Sequence, residues 1–190
     1  MRSDPIRRGH FILESGLHTD VWLELDQMFL NPSVLETQVN ELAGKLGQHD
    51  ITAVCGPLIG GAFVAQSIAA KLNLRFYYTS RVSVGASPEL FGATYRVPEG
   101  LRSHAIGERF AVVDDAISAG SSTRATLSDL SSIGAQTVVV GALLLLGDTG
   151  ARYFANLGIP VVAAAHRGLS LWEPQSCPLC QAGVAFERRH

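Results

Sequence analysis

Lysine is the first scarcity in this chain: of its fifteen basic residues only Lys45 and Lys71 are lysine. Both fall in segments expected to be helical, so cationic chemistry elsewhere must come from arginine or histidine. Cysteine is scarce too, with Cys55, Cys177 and Cys180 as the whole set. Three cysteines make no disulfide framework and fit a reducing compartment. Long apolar runs are missing, since Val138 to Leu146 is far too short to span a membrane. The N-terminus lacks the apolar core of a signal peptide, so a soluble cytoplasmic protein is expected. A net charge of -2 gives no basic surface for nucleic acid. Neither repeats nor low-complexity segments interrupt the chain. What remains is a 190-residue chain that is 47% apolar, enough for one globular domain with a core of ordinary size.

The most informative stretch runs from Phe110 to Thr123, Phe-Ala-Val-Val-Asp-Asp-Ala-Ile-Ser-Ala-Gly-Ser-Ser-Thr. Phe110 to Val113 reads as a buried strand, with Asp114 and Asp115 at its end. A loop of small residues follows, Ser118-Ala119-Gly120-Ser121-Ser122. Ala125, Leu127, Leu130 and Ile133 then recur at helical spacing until Gly134 stops the segment. A small-residue loop entering a helix presents backbone N–H groups and the positive end of the helix dipole, which suits a phosphate. Carboxylates beside it suit sugar hydroxyls, or a Mg²⁺ ion carried by further phosphates. Together they point to a phosphorylated sugar. The expectation is that the loop amides and both carboxylates share one crevice, with the acids open to solvent.

A second strand–loop–helix unit lies upstream. Ile51 to Cys55 reads as a strand, Gly56-Pro57-Leu58-Ile59-Gly60-Gly61 as a loop, and Ala62 to Leu72 as a helix. Glycine there allows backbone to approach an anion closely. Around these units, residues 9–25 read as two short strands about a Ser15-Gly16 turn. A helix is expected from Asn31-Pro32 to Leu46, with Val34, Leu35, Val39, Leu42 and Leu46 on one side. Leu74 to Thr79, Thr137 to Leu146 and Ile159 to Ala165 read as further strands, with a short helix over Asp148 to Leu157. The alternation predicts an α/β fold with a doubly wound parallel sheet, its ligands beyond the carboxyl ends of the strands.

The central run resembles the phosphoribosyl-pyrophosphate (PRPP) motif of type I phosphoribosyltransferases. Phe11, Leu13, Ser15, Gly16, His18, Thr19 and Asp20 follow the F-x-L-x-S-G-x-H-S/T-D pattern of the N-terminal hood of orotate phosphoribosyltransferases. The resemblance implies a type I fold with a small hood at about 9–30, a core at about 31–168 and a tail at 169–190. It implies transfer of ribose 5-phosphate from PRPP to a nucleobase, with release of pyrophosphate and with Mg²⁺ as charge clamp. By the resemblance Ser118, Ala119, Gly120, Ser121 and Ser122 hold the 5-phosphate. Asp114 and Asp115 receive the ribose hydroxyls, directly or through metal and water. Gly56, Pro57, Leu58 and Gly60, with Arg81, take pyrophosphate. Ser15 and Trp22, and also His18 or Asp20, approach the base. A homodimer is the expected assembly.

The family also carries a mobile loop with a catalytic lysine, here falling at residues 82–105. This chain has no lysine there and offers Arg81, Arg96, Arg102 and His104 instead, with Arg96 or Arg102 as the replacement charge. The acceptor therefore stays open between orotate, another pyrimidine and a purine, and a non-catalytic PRPP-binding regulator is a further alternative. In the tail, Cys177 and Cys180 have the C-x-x-C spacing of a zinc knuckle, a redox pair or a structural turn. A structural Zn²⁺ site wants four ligands. With Cys55 expected inside the sheet, His166 and His190 are the intrachain candidates for the others.

Overall fold

The computed structural model describes residues 6–82 and 94–187. Its central sheet has six strands. In chain order they are β3 (Ala53–Pro57), β4 (Arg75–Val82), β5 (Thr94–Arg96), β6 (Arg109–Ile117), β7 (Gln136–Leu146) and β8 (Val161–Arg167). They lie in the order β5-β4-β3-β6-β7-β8. All neighbours are parallel except the edge strand β5, which pairs antiparallel with β4. From β3 the chain winds outward one way through β4, and from β6 it winds the other way through β7 and β8. The switch of direction thus falls between β3 and β6, where an open α/β sheet forms its ligand crevice.

Period-2 alternation decides which helix covers which face. Val54, Ala111, Val113, Val139 and Leu143 turn toward α1 (Glu36–Leu46) and α2 (Gly60–Leu72) and pack with Val39, Leu42, Val64 and Ile68. Ala53, Cys55, Phe110 and Val112 face the other way, against Ala105 of α3 (Glu99–Ala105) and Leu130 of α4 (Ser121–Ser132). Ile117, Val140, Ala142 and Leu145 enclose Phe154 of α5 (Thr149–Asn156). Cys55 is fully buried, as expected, and burial pushes its thiol pKa up.

Several boundaries differ from the sequence expectation. Asn31–Leu35 is not α-helical: Pro32–Leu35 forms a 3-10 turn before α1, and Val34 is exposed rather than packed. The central strand does not stop at Val113 but runs through both aspartates to Ile117. Its neighbour is the long apolar β7, which pairs with it as far as Ile117↔Leu145. Within the irregular stretch, β5 and α3 form from 94 onward. Residues 83–93, the middle of the expected loop, lie outside the described residues.

Before the sheet, β1 (Ile6–Ile12) and β2 (His18–Leu23) form an antiparallel hairpin, turned at Gly16 in the left-handed region. The tail returns to this hairpin. His18 and Trp172 exchange both backbone hydrogen bonds, and the short helix α6 (Pro178–Gln181) sits beside it.

Candidate active site

Gly120 occupies the left-handed region at φ 78° and serves as the N-cap of α4, which no side chain caps. Leaving that helix entrance without a side-chain partner keeps its first N–H groups available to an outside acceptor. Only glycine fits there without strain, and the ring of Phe154 packs 3.1 Å below the position a Cβ would take. The loop is thus short, anchored by α5, and open at its amide face.

The acid pair adjoins this loop, and the two aspartates are not equivalent. Asp114 is 5% exposed, a correction to the expectation that both acids face solvent. Its carboxylate turns toward the loop: Ser122 Oγ donates to Oδ2 at 2.7 Å and Thr123 Oγ1 at 3.4 Å, while the Asp115 N–H donates to Oδ1 at 3.0 Å. Asp115 is half-buried and accepts from the Ala116 N–H at 2.8 Å. Burial, and then the charge of Asp115, raises the Asp114 pKa well above the usual carboxylate range. Burial raises Asp115 as well. The acids and the phosphate-type loop therefore share one crevice, with Asp114 serving as its inner brace.

The glycine loop after β3 closes the same crevice from the other side. A Cβ on Gly60 would collide with Asp115 Oδ2, and one on Gly61 would lie 2.7 Å from Asp114 Oδ1. Gly56 is equally constrained, because a Cβ there would strike the backbone of Gly61. Leu58 and Ile59 are exposed and joined by a cis peptide bond, and the Leu58 N–H donates to Thr79 O at 2.8 Å. Thr79 also hydrogen-bonds Thr126 of α4 through their hydroxyls at 2.7 Å, tying β4 to α4. Thr79, Thr123, Thr126 and Phe154 had no sequence signal. Each is an ordinary core residue in pattern, and only the tertiary fold brings it to the site.

Arg81 lies at the exposed end of β4, and its guanidinium sits 3.8 Å from Glu14 of the hairpin turn. The Tyr95 hydroxyl donates to the same Glu14 at 3.4 Å, and burial pushes its pKa up to about 12. Arg96 is exposed on β5. Arg102 is not a free cation for the crevice: both Asp129 oxygens accept from it at 3.0 Å, pinning α3 to α4. His104 is exposed on α3, where its carbonyl accepts from the Tyr77 hydroxyl.

Trp22 and Ser118 line one cavity of about 120 Å³ between hairpin and crevice, together with Leu13, Leu146 and Leu169. Ser15 is not among its walls and instead accepts from the Leu17 N–H within the turn. His18 is not among its walls either, and turns to His10 and Cys180. Asp20 faces Arg8 at 3.5 Å. A larger apolar pocket of about 520 Å³ lies between α1 and α2, at Phe29, Val39 and Phe63, away from both loops.

The carboxylates also define what metal the crevice can take. Both Asp114 oxygens already accept protein hydrogen bonds, which leaves Asp115 as the accessible donor. One accessible carboxylate fits a Mg²⁺ that arrives with phosphates, not an all-protein cage.

Comparison with known proteins points to one family. Residues 28–165 match the family model for a phosphoribosyl transferase domain. An orotate phosphoribosyltransferase of Caldanaerobacter subterraneus is 28% identical over 181 residues, covering 95% of this chain and 88% of that protein. One from Helicobacter pylori is 30% identical over 196 residues, covering 97% and 92%. Among solved structures, orotate phosphoribosyltransferase from Aeropyrum pernix aligns with a TM-score of 0.64 at 24% identity, covering 85% of this chain and 88% of that one. Adenine phosphoribosyltransferase from Thermoanaerobacter pseudethanolicus aligns with a TM-score of 0.61 at 16% identity, covering 77% and 88%. At these identities the structural likeness speaks for the fold.

Proposed function

We propose that this chain, which belongs to the phosphoribosyl transferase family, transfers ribose 5-phosphate from PRPP to orotate and releases pyrophosphate. The carrying observation is the single crevice in which the uncapped entrance of α4, the acid pair and the Gly60-Gly61 backbone meet. The amides of Ser121 and Ser122, with the Ser118–Gly120 turn, bind the 5-phosphate. Asp115 receives the ribose hydroxyls, while Asp114 holds Ser122 and Thr123 in place for the phosphate. The backbone from Gly56 to Gly60 accommodates pyrophosphate, and Arg81 supplies positive charge at its edge. Bond breaking at C1 leaves cationic character on the sugar and negative charge on the leaving group, so fixed donors at the pyrophosphate are what lower the barrier. Asp115 would hold a Mg²⁺ arriving with PRPP, and the ion would supply positive charge against the departing pyrophosphate. Trp22 and Leu13 of the hairpin shield the base side from water.

The domain reading is one unit over 1–190, hood, core and tail together. A homodimer and a cytoplasmic location complete the proposal. Exposed Leu30, Val34, Ile59 and Phe63 support self-association. Among the described residues no helix is long and apolar enough to cross a membrane.

One observation favours a second reading. Lys45 is held by Glu41 and the Ala163 carbonyl, and Lys71 lies 3.9 Å from Glu36, so neither lysine serves the crevice. A PRPP-binding regulator would have no need of one, and a transferase for another base would draw that charge from arginine. Steady-state assays with PRPP, Mg²⁺ and a panel of bases decide the matter. Pyrophosphate release with orotate is expected. Turnover of adenine, guanine or uracil without orotate would move the acceptor, and PRPP binding by calorimetry with no turnover for any base would favour the regulator.

A further inference from the structure

We propose that His10, His18, Cys177 and Cys180 form a closed structural zinc site that fastens the N-terminal hairpin to the C-terminal tail. Their ligand atoms all lie within 4.8 Å of one another. His10 Nε2 lies 3.2 Å from His18 Nδ1, 3.4 Å from Cys177 Sγ and 3.7 Å from Cys180 Sγ, and Cys180 Sγ lies 3.3 Å from His18 Nδ1. A tetrahedron with Zn–N of about 2.0–2.1 Å and Zn–S of about 2.3 Å has N···N edges of about 3.3 Å and N···S edges of about 3.5 Å. The four measured edges cluster around those values. Four groups drawn to such spacing from positions 167 and 170 residues apart in sequence are arranged around a point, not merely packed.

The chemistry of the set points the same way. His10 Nδ1 donates to the Val184 carbonyl at 2.8 Å, which fixes the tautomer and leaves the Nε2 lone pair facing the cluster. Phe186 lies tilted against His10 with ring centroids 4.1 Å apart and meets His18 edge-on at 5.1 Å, supplying an apolar wall. His10, His18 and Cys177 are buried, and Cys180 is the exposed outer member. Two imidazoles and two thiolates in tetrahedral array suit zinc, and four protein ligands leave no open position for substrate. The site is therefore structural and independent of the transferase reading. The proposal gives the C-x-x-C motif other partners than the two histidines offered by the sequence. His166 is exposed and hydrogen-bonds the Gly147 carbonyl, while His190 lies outside the described residues. The missing ligands come from the hairpin instead.

The test is metal content of the full chain, purified without a histidine tag under reducing conditions after equilibration with zinc and removal of the excess. About one zinc per chain is expected, falling below about a tenth in Cys177→Ser/Cys180→Ser and staying near one in His166→Ala. Cobalt exchanged into the wild-type protein should give the intense ligand-field bands of a tetrahedral centre with thiolate charge transfer. If the double variant fails to fold, zinc release from the wild-type chain on thiol modification provides the same readout. Wild-type protein without stoichiometric zinc, a Cys177–Cys180 disulfide in the purified chain, or zinc retained in the double serine variant would each overturn the site. None of these results depends on turnover.

Discussion

Asp114 is a buried acid whose protonated form the fold favours, and this sets a measurable trade-off at one residue. Its folded pKa lies above that of the unfolded chain, near 3.9. The folded state therefore binds the proton more tightly, and this carboxyl costs stability as pH rises from the unfolded value through the folded one. Asp114→Asn removes that dependence. Melting temperature, measured in paired buffers from pH 4 to 8, should favour the variant over wild type increasingly as pH rises; a constant difference would mean Asp114 does not titrate as described. Activity moves the other way. Asp114→Asn with Asp115→Asn should lower kcat at least ~10²–10³-fold with the fold intact by circular dichroism, the scale of losing a preorganised polar contact in an enzyme site. Retained turnover would show that the sugar hydroxyls bind elsewhere.

Among elements, the strand-to-helix turns carry the tightest constraints. Gly56→Ala would drive a methyl into the Gly61 backbone and should yield insoluble or severely destabilised protein. Gly44→Ala is the matched contrast: it sits on the exposed last turn of α1 with nothing within 4 Å and should gain up to about 0.5 kcal/mol in denaturant unfolding. Phe154→Ala empties the floor under Gly120 and should cost about 3–5 kcal/mol. It should also raise KM for PRPP roughly tenfold, equivalent to about 1.4 kcal/mol, as the phosphate loop loses its support. An unchanged KM would place the loop's rigidity elsewhere. These turns were the most readable parts of the chain, because an apolar run ending in small residues leaves few alternatives. The aspartates' position was read less well. Their strand continues through Ala116 and Ile117 because β7 offers a partner at each step, and pairing partners are invisible to local pattern. The 94–105 region escaped notice because a three-residue strand and a seven-residue helix show too little periodicity. His10 and His18 were missed as a pair. Ile12 pairs with His18, but His10 lies in the irregular stretch between Arg8 and Phe11, so simple alternation does not put the two histidines together.

At the scale of the whole molecule, the hairpin is joined to the sheet mainly through side contacts and the tail. Trp172, α6 and Glu187 all bond back to residues 10 or 18, or cluster with them. Cys177→Ser/Cys180→Ser should therefore loosen residues 6–23 selectively, read as faster amide hydrogen exchange there with the sheet core unchanged. Uniform acceleration would mean the tail stabilises the whole fold. The exposed Leu30, Val34, Ile59 and Phe63 give a second test at this scale: light scattering should report twice the mass of one chain. A monomer at micromolar concentration would dismiss the dimer.

The clasp between residues 10 and 180 also imposes an order on biosynthesis. Until residues 172–187 have left the ribosome, the first hairpin can meet Arg81 and Tyr95 through Glu14 but cannot make its pairing with the tail. A growing chain can assemble its sheet but cannot yet shut its own roof.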